Sequence, residues 1–180
     1  MDILSLFKFN NETDKETKVI LVSCNETFLS PKSIIEETWG KCKEVLLPGA
    51  LLGSNEDAER ALFKSLLETC PETQHFVVSM HSLCSFFANT ELDSVLHELE
   101  NQARNEFPEL DFVSRRVLLQ QRWMQIIIPR LKRYTEIFGC EEIAVHGWLY
   151  EPETKWISAL EEETGEFVPL NVYSGVQMLS

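Results

Sequence analysis

Long hydrophobic runs are missing from this sequence of 180 residues. No stretch stays apolar for the roughly 20 residues that a transmembrane helix needs. The first nine residues lack the basic segment and the small-residue cleavage site of a signal peptide. Internal repeats and low-complexity segments are also missing. We therefore expect neither a membrane span nor a secretory leader.

Basic residues are scarce, with 16 Lys and Arg against 29 Asp and Glu, so the formal net charge is −13. Such a surface repels phosphate backbones and anionic lipids. Arg130, Lys132 and Arg133 form the one basic cluster, but basic residues late in a long helix more often serve the helix dipole and solubility. We therefore expect a small-molecule partner, with no nucleic acid and no membrane.

The chain has five cysteines, an odd number, and no Cys-x-x-Cys pair is present. This pattern argues against a secreted disulfide framework and against a thiol redox protein. We expect a cytoplasmic protein in which spaced Cys and His indicate a metal or catalysis. At 44% hydrophobic residues the chain is globular in composition. We predict an N-terminal arm over residues 1–17 and a single domain over residues 18–180, the arm being suited to packing on a partner subunit.

Short runs of β-branched and aliphatic residues alternate with amphipathic segments. Strands are predicted over residues 18–23, 43–47, 75–80 and 142–150, with a hairpin strand over 155–160. Helices are predicted over residues 30–38, 55–69, 92–103 and 113–138, with Pro129 kinking or dividing the last of them. This alternation predicts an α/β fold. Its central, mainly parallel sheet has about four strands plus the C-terminal hairpin strand, with helices on both faces.

Two segments with metal-binding side chains follow predicted strands. Cys24 comes directly after the first strand, and the His81-x-x-Cys84 turn follows the third. Carboxyl ends of parallel strands share one edge of a sheet, and ligands of open α/β sheets bind outside that edge. Zinc is held in proteins by thiolates and imidazoles, among other ligands. Spacing alone leaves a second interpretation open, in which both cysteines are small buried hydrophobic residues and His81 is an ordinary turn histidine.

The arrangement resembles the β-class carbonic anhydrases. A buried strand ends in Cys, a second ends in His-x-x-Cys, and residues 145–150 read Val-His-Gly-Trp-Leu-Tyr before Glu-Pro-Glu-Thr. This last segment resembles the family pattern Val-His-Gly-Trp-x-Tyr-x-x-x-Thr, and the similarity extends from about residue 18 to residue 160. The resemblance implies a β-carbonic-anhydrase-like fold, zinc (Zn2+) held by Cys24, His81 and Cys84, a homodimer or higher homo-oligomer, and reversible hydration of carbon dioxide to bicarbonate.

The sequence departs from the family at the residues that follow the first ligand. The family pattern Cys-x-Asp-x-Arg is here Cys24-Asn25-Glu26-Thr27-Phe28. In the family the Asp either ligates zinc or, when it pairs with the Arg, accepts a hydrogen bond from the zinc-bound water. Glu26 keeps a carboxylate, but Phe28 cannot form the charged pair. Glu26 is therefore predicted either as a catalytic residue or as a fourth zinc ligand that closes the site.

Other edges of the pocket also differ from the family. Its Gly-His-x-x-Cys-Gly surround becomes Met80 to Ser85, and a polar loop after the second strand becomes an apolar one over residues 47–51. Two functions follow as hypotheses. The first is a zinc lyase that hydrates carbon dioxide, with weak or altered activity. The second is a non-catalytic relative that zinc stabilises and that acts through its oligomer or interaction surface.

Overall fold

The computed structural model describes residues 13–26, 30–53, 55–82, 84–88 and 94–170. Most of the predicted N-terminal arm lies outside the described residues, as do Phe28 and the last ten residues of the chain. No helix within the described ranges combines the length and apolar character needed to cross a bilayer.

Six strands form one sheet within these ranges. They are β1 (Val19–Cys24), β2 (Cys42–Leu47), β3 (His75–His81), β4 (Ala144–Glu151), β5 (Trp156–Leu160) and β6 (Phe167–Pro169), in the order β2-β1-β3-β4-β5-β6. The first four strands are parallel, and β5 and β6 are antiparallel to their neighbours. The predicted parallel sheet with its hairpin is confirmed. The short strand β6 extends it in a region for which no structure was predicted.

The helices are α1 (Lys32–Trp39), α2 (Glu56–Thr69), α3 (Ser94–Glu106) and α4 (Phe112–Phe138). Capping explains several of their ends. Asn55 accepts a hydrogen bond from the third backbone N–H of α2, and Asp111 caps the first N–H groups of α4. Gly139 ends α4 at a φ of 67°, a left-handed conformation that glycine adopts without strain. Of the two expectations for Pro129, a kink or a division of the helix, the division is wrong, because α4 runs through Pro129 as one element.

The sheet is covered on both faces, as predicted. All six residues of β1 are buried, which is why this strand is a continuous run of apolar residues. Ile20 and Val22 belong to the larger core cluster, which includes buried residues of α2, α3 and α4. Val19 and Leu21 belong to a second cluster on the α1 side.

Gly147 lies where α4 approaches β4 most closely. A Cβ atom at this position would lie 2.8 Å from Cγ1 of Ile128 and 3.1 Å from the sulfur of Met124. Both distances are shorter than ordinary van der Waals contact, so only glycine allows this spacing of helix and strand. This contact gives a physical reason for the Gly in the His-Gly-Trp segment.

A pair of histidines lies on the α1 side of the sheet. Nδ1 of His75 is 3.1 Å from Nε2 of His146, and the indole of Trp39 stacks on the His75 ring with centroids 4.2 Å apart. His146 is 2% exposed. Burial lowers the pKa of His146 to about 3, and the neighbouring His75 acts in the same direction. His146 therefore packs in the core as a neutral residue.

This burial predicts a loss of stability in mild acid. His146 titrates near its usual pKa of about 6.5 in the unfolded chain, so below that pH the unfolded state binds the extra proton. Its contribution is therefore present above pH 6.5 and is lost as the pH falls toward 3. Between pH 7 and pH 5 we expect urea unfolding to lose about 2 kcal/mol through this residue.

The substitution His146→Gln should remove that part of the pH dependence, whereas His97→Gln should retain it, because His97 lies exposed on α3. Equal pH dependence in the wild-type protein and the His146→Gln variant would show that His146 is not the titrating group.

Candidate metal centre

Four potential metal ligands meet at the carboxyl edge of β1 and β3. Cys24 is the last residue of β1, His81 is the last residue of β3, and these strands are parallel neighbours. Cys84 follows three residues after His81, and Glu26 two residues after Cys24. The donor atoms of these four side chains all lie within 4.8 Å of one another. The structure thus brings together every site residue that the sequence predicted.

The spacing of the sulfur atoms fits a shared metal ion. Sγ of Cys24 and Sγ of Cys84 are 3.5 Å apart. Two thiolates on one tetrahedral Zn2+, at Zn–S distances of about 2.3 Å, would be separated by about 3.8 Å. Both cysteines are 1% exposed and His81 is 8% exposed, whereas Glu26 is exposed. The two sulfurs and the imidazole therefore belong to buried residues, and the group reaches solvent on the side of the Glu26 carboxylate.

The hydrogen bonding of His81 leaves one ring nitrogen available. Nδ1 lies 2.8 Å from the carbonyl oxygen of Ser82. Because a carbonyl only accepts, this contact assigns the proton to Nδ1 and the lone pair to Nε2. Nε2 is buried and has no hydrogen-bond partner of normal geometry among the described residues. A buried acceptor without a partner is costly, and a metal ion beside the two sulfurs would satisfy it.

The four side chains also perturb one another electrostatically. The hydrogen bond from Cys84, although opposed by burial, holds the pKa of Cys24 well below its usual range, and His81 acts in the same direction. The same hydrogen bond, together with burial, raises the pKa of Cys84. Burial opposes the charged form of His81, but its interaction with Cys24 and the carbonyl of Ser82 outweigh burial and raise its pKa. Cys24 is therefore the cysteine that forms a thiolate readily, while Cys84 keeps its proton and donates it to the Cys24 sulfur.

Glu26 is held by a residue that the sequence interpretation did not single out. The backbone N–H of Ser85 donates to Oε2 of Glu26 at 2.7 Å, and the Ser85 hydroxyl donates to Oε1. These two bonds outweigh burial and lower the pKa of Glu26. Glu26 is therefore an ionised acceptor at the open side of the group.

Helix α4 anchors the backbone of two of the candidate ligands, His81 and Cys84. Nε2 of Gln120 donates to the carbonyl of His81 at 2.9 Å, and Nη2 of Arg116 donates to the carbonyl of Cys84. Arg116 and Gln120 lie one helical turn apart, so they present their side chains on the same face of α4. Neither residue was predicted to take part. One sequence signal for a buried polar contact was available, because Gln120 is a polar residue in the apolar stripe of a helix. In the structure Gln120 is 1% exposed.

The apolar loop after β2 forms a backbone contact with the site. Residues Pro48–Ala50 make a short 3-10 turn in which Gly49 has a φ of 60°. A Cβ on Gly49 would lie 2.6 Å from the ring of Phe86, so a larger residue is excluded for steric as well as conformational reasons. The Gly49 backbone hydrogen bond favours the thiolate form of Cys24. This loop supplies backbone groups where the family has polar side chains.

The sequence matches no family model, and no curated protein is significantly similar to it. Comparison of structures does find proteins of similar fold. The β-carbonic anhydrase CafA of Aspergillus fumigatus superposes with a TM-score of 0.67 at 16% identity, covering 84% of this chain and 80% of that one. A Coccomyxa β-carbonic anhydrase solved with acetazolamide has a TM-score of 0.63 at 12% identity, covering 86% and 79%. A tetrameric β-carbonic anhydrase of Sordaria macrospora has a TM-score of 0.57 at 14% identity, covering 87% and 82%.

These comparisons establish the fold. The chain adopts the β-carbonic anhydrase fold over most of its length, as the resemblance in sequence implied. At the edge of its sheet it carries a Cys/His/Cys group that could hold a metal ion, with a carboxylate beside it.

Proposed function

We propose that this chain is a zinc-binding member of the β-carbonic anhydrase family that hydrates carbon dioxide reversibly to bicarbonate. The observation that carries the proposal is the convergence of the Cys24 and Cys84 sulfurs and the buried Nε2 of His81. Two thiolates and one imidazole are a donor set that suits Zn2+. Three protein ligands leave a fourth position, as in catalytic zinc sites.

The four residues have two kinds of role, metal ligand and catalytic residue. Cys24, His81 and Cys84 would hold the ion, and when bound it would supply the Lewis acidity that makes hydroxide available near pH 7. Glu26 stands at the open side, where it can accept a hydrogen bond from the attacking group and orient it toward carbon dioxide. Its exposure gives the released proton a direct route to solvent. Carbon dioxide is linear and apolar, so it needs few polar residues for binding.

Other properties of the chain support the proposed location, type of partner and oligomeric state. None of the five cysteines, all of which lie in the described ranges, forms a disulfide bond, which fits a reducing, cytoplasmic environment. The net charge of −13 favours a small-molecule substrate over nucleic acid or an anionic membrane. We propose a homo-oligomer, since the compared β-carbonic anhydrase of Sordaria macrospora is tetrameric.

A second function is favoured by one specific observation. The carboxylate of Glu26 belongs to the same group of possible ligands as the two cysteines and His81, and Phe28 stands where the family has its arginine. If Glu26 ligated the ion, the site would be closed and structural. The protein would then be a zinc-stabilised relative that acts through its oligomer or another interaction surface.

The deciding experiment measures bound zinc per chain together with carbon dioxide hydration from about pH 6.5 to 9, a range around the ordinary zinc-water pKa. We expect one zinc per chain and measurable hydration. Glu26→Gln should lower kcat/KM about 100-fold, because a positioned acid–base group contributes about that much. Glu163→Gln, in an exposed turn after β5, should leave it unchanged. Full zinc occupancy without activity at any pH would overturn the enzymatic function in favour of the structural one.

A further inference from the structure

Ser85 contacts both carboxylate oxygens of Glu26 from a distant part of the chain. Its backbone N–H reaches Oε2 at 2.7 Å, and its hydroxyl reaches Oε1. Two donors on two different oxygens fix both the position and the rotation of a carboxylate, which one hydrogen bond cannot do. Glu26 forms no ion pair with Lys or Arg within the described residues, so these neutral donors are its main support.

One peptide group connects this contact to the rest of the site. The carbonyl of Cys84 and the N–H of Ser85 belong to the same planar peptide. Arg116 of α4 binds the carbonyl end, and Glu26 accepts from the N–H end. The peptide group between Cys84 and Ser85 therefore also determines where the Glu26 carboxylate lies. A rigid helix thus fixes the separation between the carboxylate and the ligand group.

The hydroxyl of Ser85 departs from the family pattern. The family pattern has Gly directly after the second Cys, so it has no side-chain donor there, and its arginine holds the acid. Here the arginine position is Phe28 and the Gly position is Ser85. The chain has lost one donor and carries another at the opposite side of the same carboxylate.

We propose that Ser85 is a positioning residue that takes over the role of the missing arginine. It holds Glu26 as a hydrogen-bond acceptor beside the metal, instead of a fourth ligand on it, and so keeps the fourth position open to small ligands. This inference rests on the proposed metal centre. The inference goes further than the metal centre, because it states that Glu26 does not close the site.

The test uses the Co2+-substituted protein, whose visible absorption reports the number and type of ligands, and titrates it with azide, an anion that binds to an open position. We expect the wild-type protein to bind azide with a clear spectral change. Ser85→Ala should free Glu26 to bind the ion and weaken azide binding at least about tenfold, the effect of a lost hydrogen bond to a charged group.

Three further variants separate positioning from a general loss of structure. Ser85→Thr keeps the hydroxyl and should titrate like the wild type. The double variant Ser85→Ala with Glu26→Gln should regain azide binding, because the amide is a poor metal ligand. Glu26→Gln alone should bind azide at least as tightly as the wild type, because it removes a negative charge beside the bound anion. Recovery in the double variant is a result that a merely distorted site would not give.

Identical azide affinity in the wild type and Ser85→Ala would overturn the proposal, as would a wild-type Co2+ spectrum that azide does not change. Failure to take up Co2+ would overturn it together with the proposed metal centre. Normal Co2+ uptake and the expected response of Ser85→Ala, without carbon dioxide hydration, would overturn the enzymatic function alone.

Discussion

The Cys84→Ser variant is expected to lose both its bound zinc and its zinc-dependent stability. Cys84 is 1% exposed, and its sulfur lies 3.5 Å from that of Cys24. A hydroxyl is a much weaker zinc ligand than a thiolate and is shorter, so it leaves only two strong donors, Cys24 and His81. We expect zinc affinity to fall by more than about 100-fold, beyond the loss typical of residues that only support a ligand.

The loss of affinity should appear directly in unfolding experiments. A ligand that binds only the folded state adds about 2.7 kcal/mol at about 100 times its dissociation constant. The wild-type protein should therefore gain at least that much on adding zinc to metal-free protein, and Cys84→Ser should gain almost nothing at the same zinc concentration. Urea unfolding of both proteins, with zinc and with a chelator, measures the difference.

Cys42→Ser is the matched control. Cys42 is a free cysteine of β2 that is also buried, and burial raises the pKa of its thiol to about 12. It lies outside the group of four possible ligands. Its replacement should cost some stability in the core but leave the gain from zinc intact. An equal gain from zinc in Cys84→Ser and the wild type would contradict the metal centre itself.

The fold was predictable because two sequence patterns recur along the chain. Continuous apolar runs indicate buried strands, and amphipathic segments indicate helices. The continuous apolar run of β1 reflects burial on both faces, and the stops at Cys24 and at Gly139 mark real ends of elements. Pro129 does not divide this helix, although a proline in a helix interior usually kinks or breaks it. Its apolar neighbours Ile128 and Leu131 are buried against the sheet, and this tertiary packing favours one continuous helix.

The candidate site was predictable only where strand order brings distant residues to one edge. Cys24 and His81 end adjacent parallel strands, so their meeting follows from topology. Ser85 and Gln120 were not predictable, because their roles depend on a hydrogen bond across 59 residues and on one across 39 residues. Nothing in the local pattern distinguishes Ser85 from an ordinary surface serine. The position of Gln120 in the apolar stripe of α4 indicates burial but does not identify its partner.

The helix that anchors the ligands is itself held by a buried carboxylate. Glu59 of α2 is 2% exposed, and its Oε1 accepts a hydrogen bond from the Tyr134 hydroxyl at 3.0 Å. Nη1 of Arg130 lies 3.4 Å from Oε2. Burial raises the pKa of Glu59, while Arg130 and Tyr134 act against it. Because Arg130 and Tyr134 belong to α4, this contact joins α2 to the helix that carries Arg116 and Gln120.

Arg130→Met is therefore expected to destabilise the protein by about 3 kcal/mol at pH 7, the lower end for removing one partner of a buried ion pair. The lower end applies because the Arg130 side chain is 23% exposed and its contact is long. Without the guanidinium, Glu59 must stay ionised without its partner or take up a proton. Urea unfolding at neutral pH measures the cost.

The pH dependence of this loss identifies its cause. With its pKa raised further, Glu59 would bind a proton in the folded state at pH values where the unfolded chain does not. The folded variant is therefore favoured as the pH falls, and the difference from wild type should shrink between pH 7 and pH 5. A loss that is constant over this range would indicate missing side-chain packing instead of an uncompensated carboxylate.

Two further variants complete the test. Arg133→Met, three residues along the same helix on an exposed position, should stay within about 0.5 kcal/mol of wild type. The double variant Glu59→Leu with Arg130→Met replaces the whole pair by apolar side chains and should recover most of the stability, because it leaves no buried charge. If Arg130→Met alone is as stable as Arg133→Met, the ion pair does not hold α4. The position of the ligand-anchoring face would then depend on apolar packing alone.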